Sequence, residues 1–181
     1  MGGRAALLIP VRSVGGPMPR QGFDRQLRDL QHAILTLGSM GAVAVERAVE
    51  ALKTRDAALA QEVIDREQLV DDLASDIEER ALLLIATQQP MATDLRTISA
   101  VIAIASELER IGDYAEGIAK IVLLSLDEPP IKPLIDIPRM AERSIDMLRR
   151  SLDAFIERDL AAARAIWDED DYIDALNEQI Y

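Results

Sequence analysis

The chain has 181 residues, 49% of them apolar and only 3% aromatic, with a formal net charge of −12. Alanine, leucine and isoleucine occur with glutamate and arginine, a composition typical of a helical protein. The negative charge disfavours a nucleic-acid partner and adsorption to an anionic membrane, because both depend on clustered Lys and Arg. The absence of cysteine excludes disulfides and thiolate metal sites and is compatible with a cytoplasmic protein.

The N-terminal segment, residues 1–22, is predicted to be a disordered extension. Its apolar run AALLIPV contains a proline and is far too short to span a membrane. Met18 is a candidate start of the folded protein. We therefore expect the folded part to begin close to Phe23.

Apolar periodicity and capping signals predict three long helices over residues 23–124. The first helix begins at Phe23 and carries apolar residues at heptad-like spacing. Asp56 is the predicted N-cap of the second helix, and Pro90 ends it, because the residue before a proline disfavours the α region. Thr93 or Asp94 is predicted to cap the third helix, which runs to about residue 124.

Residues 125–138 contain four prolines in SLDEPPIKPLIDIP and are predicted to form a linker. A fourth helix is predicted from about Arg139 to Glu157. A fifth is predicted to start at Asp159 and to run to the C-terminus.

An internal repeat relates the two halves of the chain at an offset of 103 residues. Residues 51–77 align without a gap on residues 154–180 with nine identities, where composition alone gives roughly two or three. The chain is therefore interpreted as tandem three-helix bundles, the second lacking its third helix. The first bundle spans 23–124 and the partial second one 139–181. Trp167 takes the position of Ile64, so we expect it in the core or at an interface.

Four carboxylates are predicted to lie at one level between the second and third helices. Asp71 lies 18 residues before Gln89, and Glu109 lies 19 residues after Pro90. Glu67 and Asp113 lie one helical turn further from the same turn between helices. At about 1.5 Å per residue, Glu67 can face Asp113 while Asp71 faces Glu109.

The spacing alone is weak evidence, since about five to six acidic pairs at i, i+4 arise by chance from 32 acids. Four carboxylates at one level either splay into water, with Arg110 partly neutralising them, or are held by a cation. All-oxygen ligands suit hard ions such as Fe(III), Mg, Mn or Ca. Asp170 and Asp174 stand at the positions of Glu67 and Asp71 and supply a second half-site.

Other chemistries find little support. A ferritin-like di-iron site needs two Glu-x-x-His motifs, and the single histidine, His32, is expected at the surface. One enzyme alternative is a helical, Mg-dependent nucleotide pyrophosphohydrolase, for which Glu62 and Asp65 supply one of two acidic elements. A plain helical scaffold with solvated acids is a further alternative.

Three stretches in order, VIDREQLVDDL, QQPMATDLR and ELERIGDYAEGIAK, resemble the PhoU family of phosphate-transport accessory proteins. The resemblance extends from about residue 23 to the C-terminus and includes the duplication. It implies two three-helix bundles side by side, whose E(D)xxxD motifs hold a multinuclear metal cluster, with iron or zinc as the metal. The family's motif residues fall on Glu67, Asp71, Glu109 and Asp113, and in the second bundle only on Asp170 and Asp174.

The resemblance also implies a function. It suggests a non-enzymatic, cytoplasmic regulator, expected as a homodimer, that reaches the membrane only through other proteins. The implied partners are the ATPase of the phosphate ABC transporter and a phosphate-sensing histidine kinase. The offset predicts a second ERIGD motif near residues 212–216, beyond Tyr181. We therefore expect a piece of a longer protein or a partner chain that fills the gap.

Overall fold

The structure is a computed structural model, and it describes residues 19–128 and 134–180. This part of the chain consists of α1 (Pro19–Thr54), α2 (Ala57–Gln88), α3 (Ala92–Leu124), α4 (Asp136–Glu157) and α5 (Leu160–Ile180). The predicted all-α fold class is confirmed. The candidate start at Met18, residues 1–18 of the predicted extension, linker residues 129–133 and Tyr181 lie outside the described residues.

Helices α1 and α4 begin earlier than predicted, each with a proline in its first turn. Helix α1 starts at Pro19, so the predicted extension is wrong for residues 19–22. Helix α4 starts at Asp136 rather than Arg139, with Pro138 in its first turn. Proline is tolerated there because its fixed φ suits a helix and the first N–H groups have no intrahelical partner.

The predicted beginning and end of α2 are confirmed. The Asp56 carboxylate accepts hydrogen bonds from the backbone N–H groups of Ala58 and Leu59 at 2.9 and 3.0 Å. The helix ends at Gln88, and Gln89 adopts the left-handed region with φ 45° before Pro90. This turn reverses the chain into α3.

The predicted cap of α3 is wrong. Its N-cap is Met91, which makes no side-chain capping hydrogen bond, and Thr93 and Asp94 lie inside the first turn. The helix starts early because the Met91 carbonyl already accepts the Leu95 N–H at 2.9 Å. Asp94 still contributes, since a negative charge in the first turn is favourable to the helix dipole.

Helices α1, α2 and α3 pack against one another. The main core contains large aliphatic side chains that are almost completely buried, among them Ile34, Leu37, Ile77, Ile98 and Val101. A second cluster near the α1–α2 turn is rich in alanine, for example Ala48, Ala60 and Ala119, which lets the backbones approach closely. The α2–α3 contact is thereby fixed along the length of both helices.

Helix α4 packs on α1, and α5 packs on α4. An ideal Cβ at Gly38 would lie 2.2 Å from Leu152 Cδ1, so the glycine provides the space that Leu152 fills. Arg143 and Arg150 of α4 donate to the Glu169 carboxylate of α5. Trp167 is 82% exposed, so it does not lie in the core, and its expected place at an interface stays a prediction. None of the described helices is both long and apolar enough to cross a membrane.

The repeat is visible in the two inter-helix turns. Arg55 and Arg158, 103 residues apart, both adopt the left-handed region, with φ 59° and 58°. Asp159 caps α5 as Asp56 caps α2, by accepting the N–H groups of Ala161 and Ala162. The predicted start of the fifth helix at Asp159 is thus confirmed.

Candidate metal centre

Three of the predicted carboxylates come together between α2 and α3. Glu67 and Asp71 lie one turn apart on α2, and Asp113 lies on α3. One carboxylate oxygen from each residue lies within 4.8 Å of the other two. A hard cation binds oxygen at about 2.0–2.6 Å, so two ligands of one ion are separated by no more than about 5 Å. The three oxygens meet this requirement.

Glu109 lies beside this group rather than within it. Its pKa is raised by burial first and then by the charges of Asp71 and Asp113, with Glu78 adding to the effect. Because those charges act on Glu109, its carboxyl belongs to the same negative field.

The electrostatics of the site indicate unbalanced negative charge. Burial, followed by a hydrogen bond with the Asp71 carboxyl and its charge, raises the pKa of Glu67 to about 7. The charges of Glu116 and Asp113 raise it further. Asp71 Oδ1 is buried and has no hydrogen-bond partner among the described residues. A buried acceptor without a donor is costly unless a cation or water satisfies it, so these residues fit a bound hard cation.

Neighbouring bases do not neutralise the acids. Arg110, which would partly neutralise the acids in the alternative without a cation, forms its ion pair with Glu107 one turn back on α3. Lys120 pairs with Glu116 at 2.5 Å. In the described part of the chain, no Lys or Arg forms an ion pair with the four predicted ligands.

The predicted half-site on α5 remains a pair. Asp170 and Asp174 lie one turn apart and both are exposed. Helix α5 packs on α4 alone, and within residues 19–128 and 134–180 no third acid joins them in a ligand group. The structure therefore does not bring them together with carboxylates of another helix.

Two acids outside the predicted ligand set belong to the same negative electrostatic field. The charge of Glu78 raises the pKa of Glu109, and the charge of Glu116 raises the pKa of Glu67. Sequence reasoning missed Glu78, whose spacing of seven residues from Asp71 could have revealed it, whereas Glu116 follows Asp113 by three residues. The cluster of acidic residues therefore extends beyond the four predicted ligands.

A protein-family model described as PhoU domain matches residues 34–122 and 137–181. The two matched segments begin 103 residues apart, at the offset of the internal repeat. The Phosphate-specific transport system accessory protein PhoU homolog of Aquifex aeolicus is 36% identical over 156 residues, covering 86% of this chain and 71% of the relative. The Clostridium acetobutylicum homolog of the same name is 34% identical, covering 91% and 75%.

Solved structures show the same similarity. The crystal structure of PhoU from Pseudomonas aeruginosa superposes with a TM-score of 0.82 at 27% identity, covering 87% of this chain and 76% of that one. The phosphate transport system regulatory protein PhoU from Streptococcus pneumoniae superposes with a TM-score of 0.78 at 30% identity, covering 85% and 72%.

Proposed function

Because the chain belongs to the PhoU family, we propose that it is an accessory protein of a phosphate-specific transport system. It restrains phosphate uptake through the ATPase subunit of the phosphate ABC transporter, and phosphate-starvation signalling through a phosphate-sensing histidine kinase. The names of the relatives support the transport role. Members of this family are accessory or regulatory proteins rather than enzymes, so the pyrophosphohydrolase alternative is set aside.

The observation that carries the mechanistic part of the proposal is the group of Glu67, Asp71 and Asp113. Their oxygens lie within 4.8 Å of one another, and in the described residues no Lys or Arg forms an ion pair with them. With Glu109 they bind a multinuclear cluster of hard cations. Iron suits this all-oxygen set better than zinc, which usually takes nitrogen or sulfur ligands. Asp170 and Asp174 act as a half-site that is completed when acids of another helix come opposite them.

Cation binding serves to stabilise one arrangement of the helices. A ligand that binds only the assembled α2–α3 pair stabilises that pair by mass action. The helices then keep one relative arrangement, and the surfaces that contact the transporter and the kinase keep a fixed geometry. In this proposal the chain works in the cytoplasm as a homodimer and reaches the membrane only through its protein partners.

Complementation tests this function. In bacterial cells that lack their own accessory protein, the chain restores the restraint on labelled-phosphate uptake when phosphate is plentiful. The double substitution Asp71→Asn with Asp113→Asn abolishes the restraint, whereas the matched control Asp72→Asn, at the exposed neighbouring position, preserves it. A chain that accumulates in folded form and leaves uptake unrestrained contradicts the proposal.

Pull-down of the transporter ATPase tests the partner separately. The ATPase subunit is expected to co-purify with the wild-type chain and with Asp72→Asn. Much weaker co-purification is expected with the Asp71→Asn and Asp113→Asn double variant. Equal recovery with all three would show that the acidic residues do not control partner binding.

A further inference from the structure

An open groove of about 480 Å³ separates α3 from the turn between α4 and α5. Its apolar lining includes Ala100 of α3, Phe155 of α4, and Leu160 and Ala163 of α5. Among the described helices neither α4 nor α5 packs against α3, and Leu160 is 63% exposed. The groove therefore presents apolar surface to water, and covering that surface is favourable.

Two arginines line the groove without an acidic partner. Neither Arg96 of α3 nor Arg158 at the end of α4 forms an ion pair with any described residue. The acid in the lining, Asp159, is engaged as the cap of α5, where it accepts the N–H groups of Ala161 and Ala162. The groove thus carries unpaired positive charge in a chain whose net charge is −12.

The first copy of the repeat shows that this face of α5 is suited to packing. At the offset of 103 residues, Ala163 corresponds to Ala60 of α2. Ala60 is completely buried, together with Ala119 of α3, in the alanine-rich cluster. Helix α5 packs on α4 alone, so the equivalent face stays uncovered in the described chain. A small residue at this position allows another helix to approach closely.

An acidic, apolar surface continues along the same face of α5. Trp167 follows Leu160 by seven residues and Ala163 by four, and its side chain is 82% exposed. Exposed Asp170 and Asp171 follow Trp167 within one turn. An exposed indole beside carboxylates is complementary to an apolar groove that carries two unpaired arginines.

We propose that two copies of the chain pair through this face, with Trp167 of each copy packed in the groove of the other. The two α5 helices run antiparallel, with Trp167 of one copy level with Ala163 of the other. Asp171 follows Trp167 by four residues, and Asp159 precedes Ala163 by four, so Asp171 comes level with the turn that carries Arg158. Asp171 and Arg158 then pair twice, once on each side of the two-fold axis.

The interface is self-complementary, as a two-fold dimer requires. It covers the exposed Trp167 and Leu160 and supplies each unpaired Arg158 with an acid. Tryptophan and arginine commonly contribute most of the binding energy of protein interfaces. The inference rests on the homodimer of the proposed function and names its contact residues.

Analytical ultracentrifugation of the whole chain over a range of concentrations tests the pairing. EDTA is present so that no cation bridges two copies through their acids. The wild type is expected to show a monomer–dimer equilibrium, and Trp167→Ala is expected to weaken the dimer about tenfold or more. Arg149→Glu, at an exposed position on the opposite face of α4 from the groove, is the control and is expected to leave the equilibrium unchanged.

Charge reversal identifies the residues that face each other. Arg158→Glu alone and Asp171→Arg alone each place two like-charged pairs in the dimer and are expected to weaken it about tenfold or more. An equimolar mixture of the two variants is expected to restore wild-type association, because the mixed dimer has one original and one reversed ion pair. A residue that only supports the fold of its own chain is not rescued by a substitution in another chain.

A wild-type chain that stays monomeric at every concentration overturns the proposal. A dimer that Trp167→Ala leaves unchanged, or a mixture of the charge-reversal variants that does not associate, overturns it as well, because the copies then pair elsewhere. Failure of the transport proposal is distinguishable. Phosphate uptake that stays unrestrained although the chain forms this dimer would contradict the transport role and leave the interface supported.

Discussion

Glu67 and Asp113 belong to different helices, yet their carboxylate oxygens lie within 4.8 Å of each other. The residues beside the acids explain this closeness. An ideal Cβ at Gly112 would lie 3.0 Å from Val70 Cγ1, so the glycine lets α3 approach α2 next to Asp113 and Asp71. Packing thus holds acids together that would otherwise repel each other.

Gly112→Ala is predicted to weaken the cation site with little loss of fold stability. The added methyl group separates α2 and α3 by a few tenths of an ångström, while alanine is a better helix former by about 0.5–1 kcal/mol. Titration of the metal-free protein with Mn²⁺ is expected to show several-fold weaker binding. Gly117→Ala is the control, because no atom lies within 4 Å of the added Cβ. Unchanged affinity in Gly112→Ala would contradict the packing explanation.

The metal-free protein is predicted to lose stability as the pH rises. The pKa of Glu67 is raised to about 7 and that of Glu109 is raised as well, so the folded chain binds protons more tightly than the unfolded chain. This stability is fully present below the ordinary pKa of 4.5 and is lost as the pH rises through about 7. After allowance for solvent screening, the loss is about 1–2 kcal/mol.

Urea unfolding of EDTA-treated protein at about pH 5 and about pH 8 measures this loss. Glu67→Gln is expected to remove most of the difference, whereas Asp72→Asn preserves it. A free energy of unfolding that rises between these two pH values would contradict the assigned direction.

The docking of α4 on α1 is predicted to depend on Gly38. Gly38→Ala places a methyl group against buried Leu152 and is expected to destabilise the fold by about 1 kcal/mol. In a Leu152→Ala background the clash is absent, so the same substitution is expected to stabilise by about 0.5–1 kcal/mol. Urea unfolding of the four proteins in this cycle measures the change of sign. An equal effect in both backgrounds would show that Gly38 does not seat Leu152.

Glu169 is predicted to hold α5 on α4. Its pKa is lowered mainly by the hydrogen bond from Arg150, so its contribution is present above the usual carboxyl pKa and is lost as the pH falls. Glu169→Gln is expected to increase amide hydrogen exchange in α5 several-fold while α2 stays protected. Asp168→Asn, an exposed neighbour on the same helix, is the control. Equal exchange in the two variants would show that the ion pairs do not anchor α5.

The fold was largely predictable because helix periodicity and the turn at Pro90 fix the register of α2 and α3. A constant rise per residue then places Glu67 opposite Asp113, and this proximity is confirmed. Helix starts were less predictable. A proline in the first turn, at Pro19 and at Pro138, looks like a linker residue in sequence, although it fits a helix start.

The finer features of the site depend on contacts that spacing does not encode. Arg110 pairs with Glu107 rather than with any of the four predicted ligands, which residue spacing alone does not indicate.

The central claim is that Glu67, Asp71, Glu109 and Asp113 bind metal. The most direct measurement is the metal content of the purified protein by mass spectrometry, for the wild type, Glu109→Ala, Asp113→Ala and the control Asp72→Ala. We predict a stoichiometric hard metal, iron foremost, in the wild type and in Asp72→Ala, and strongly reduced metal in the other two. Metal content that both Glu109→Ala and Asp113→Ala leave unchanged would contradict the claim and favour a scaffold with solvated acids.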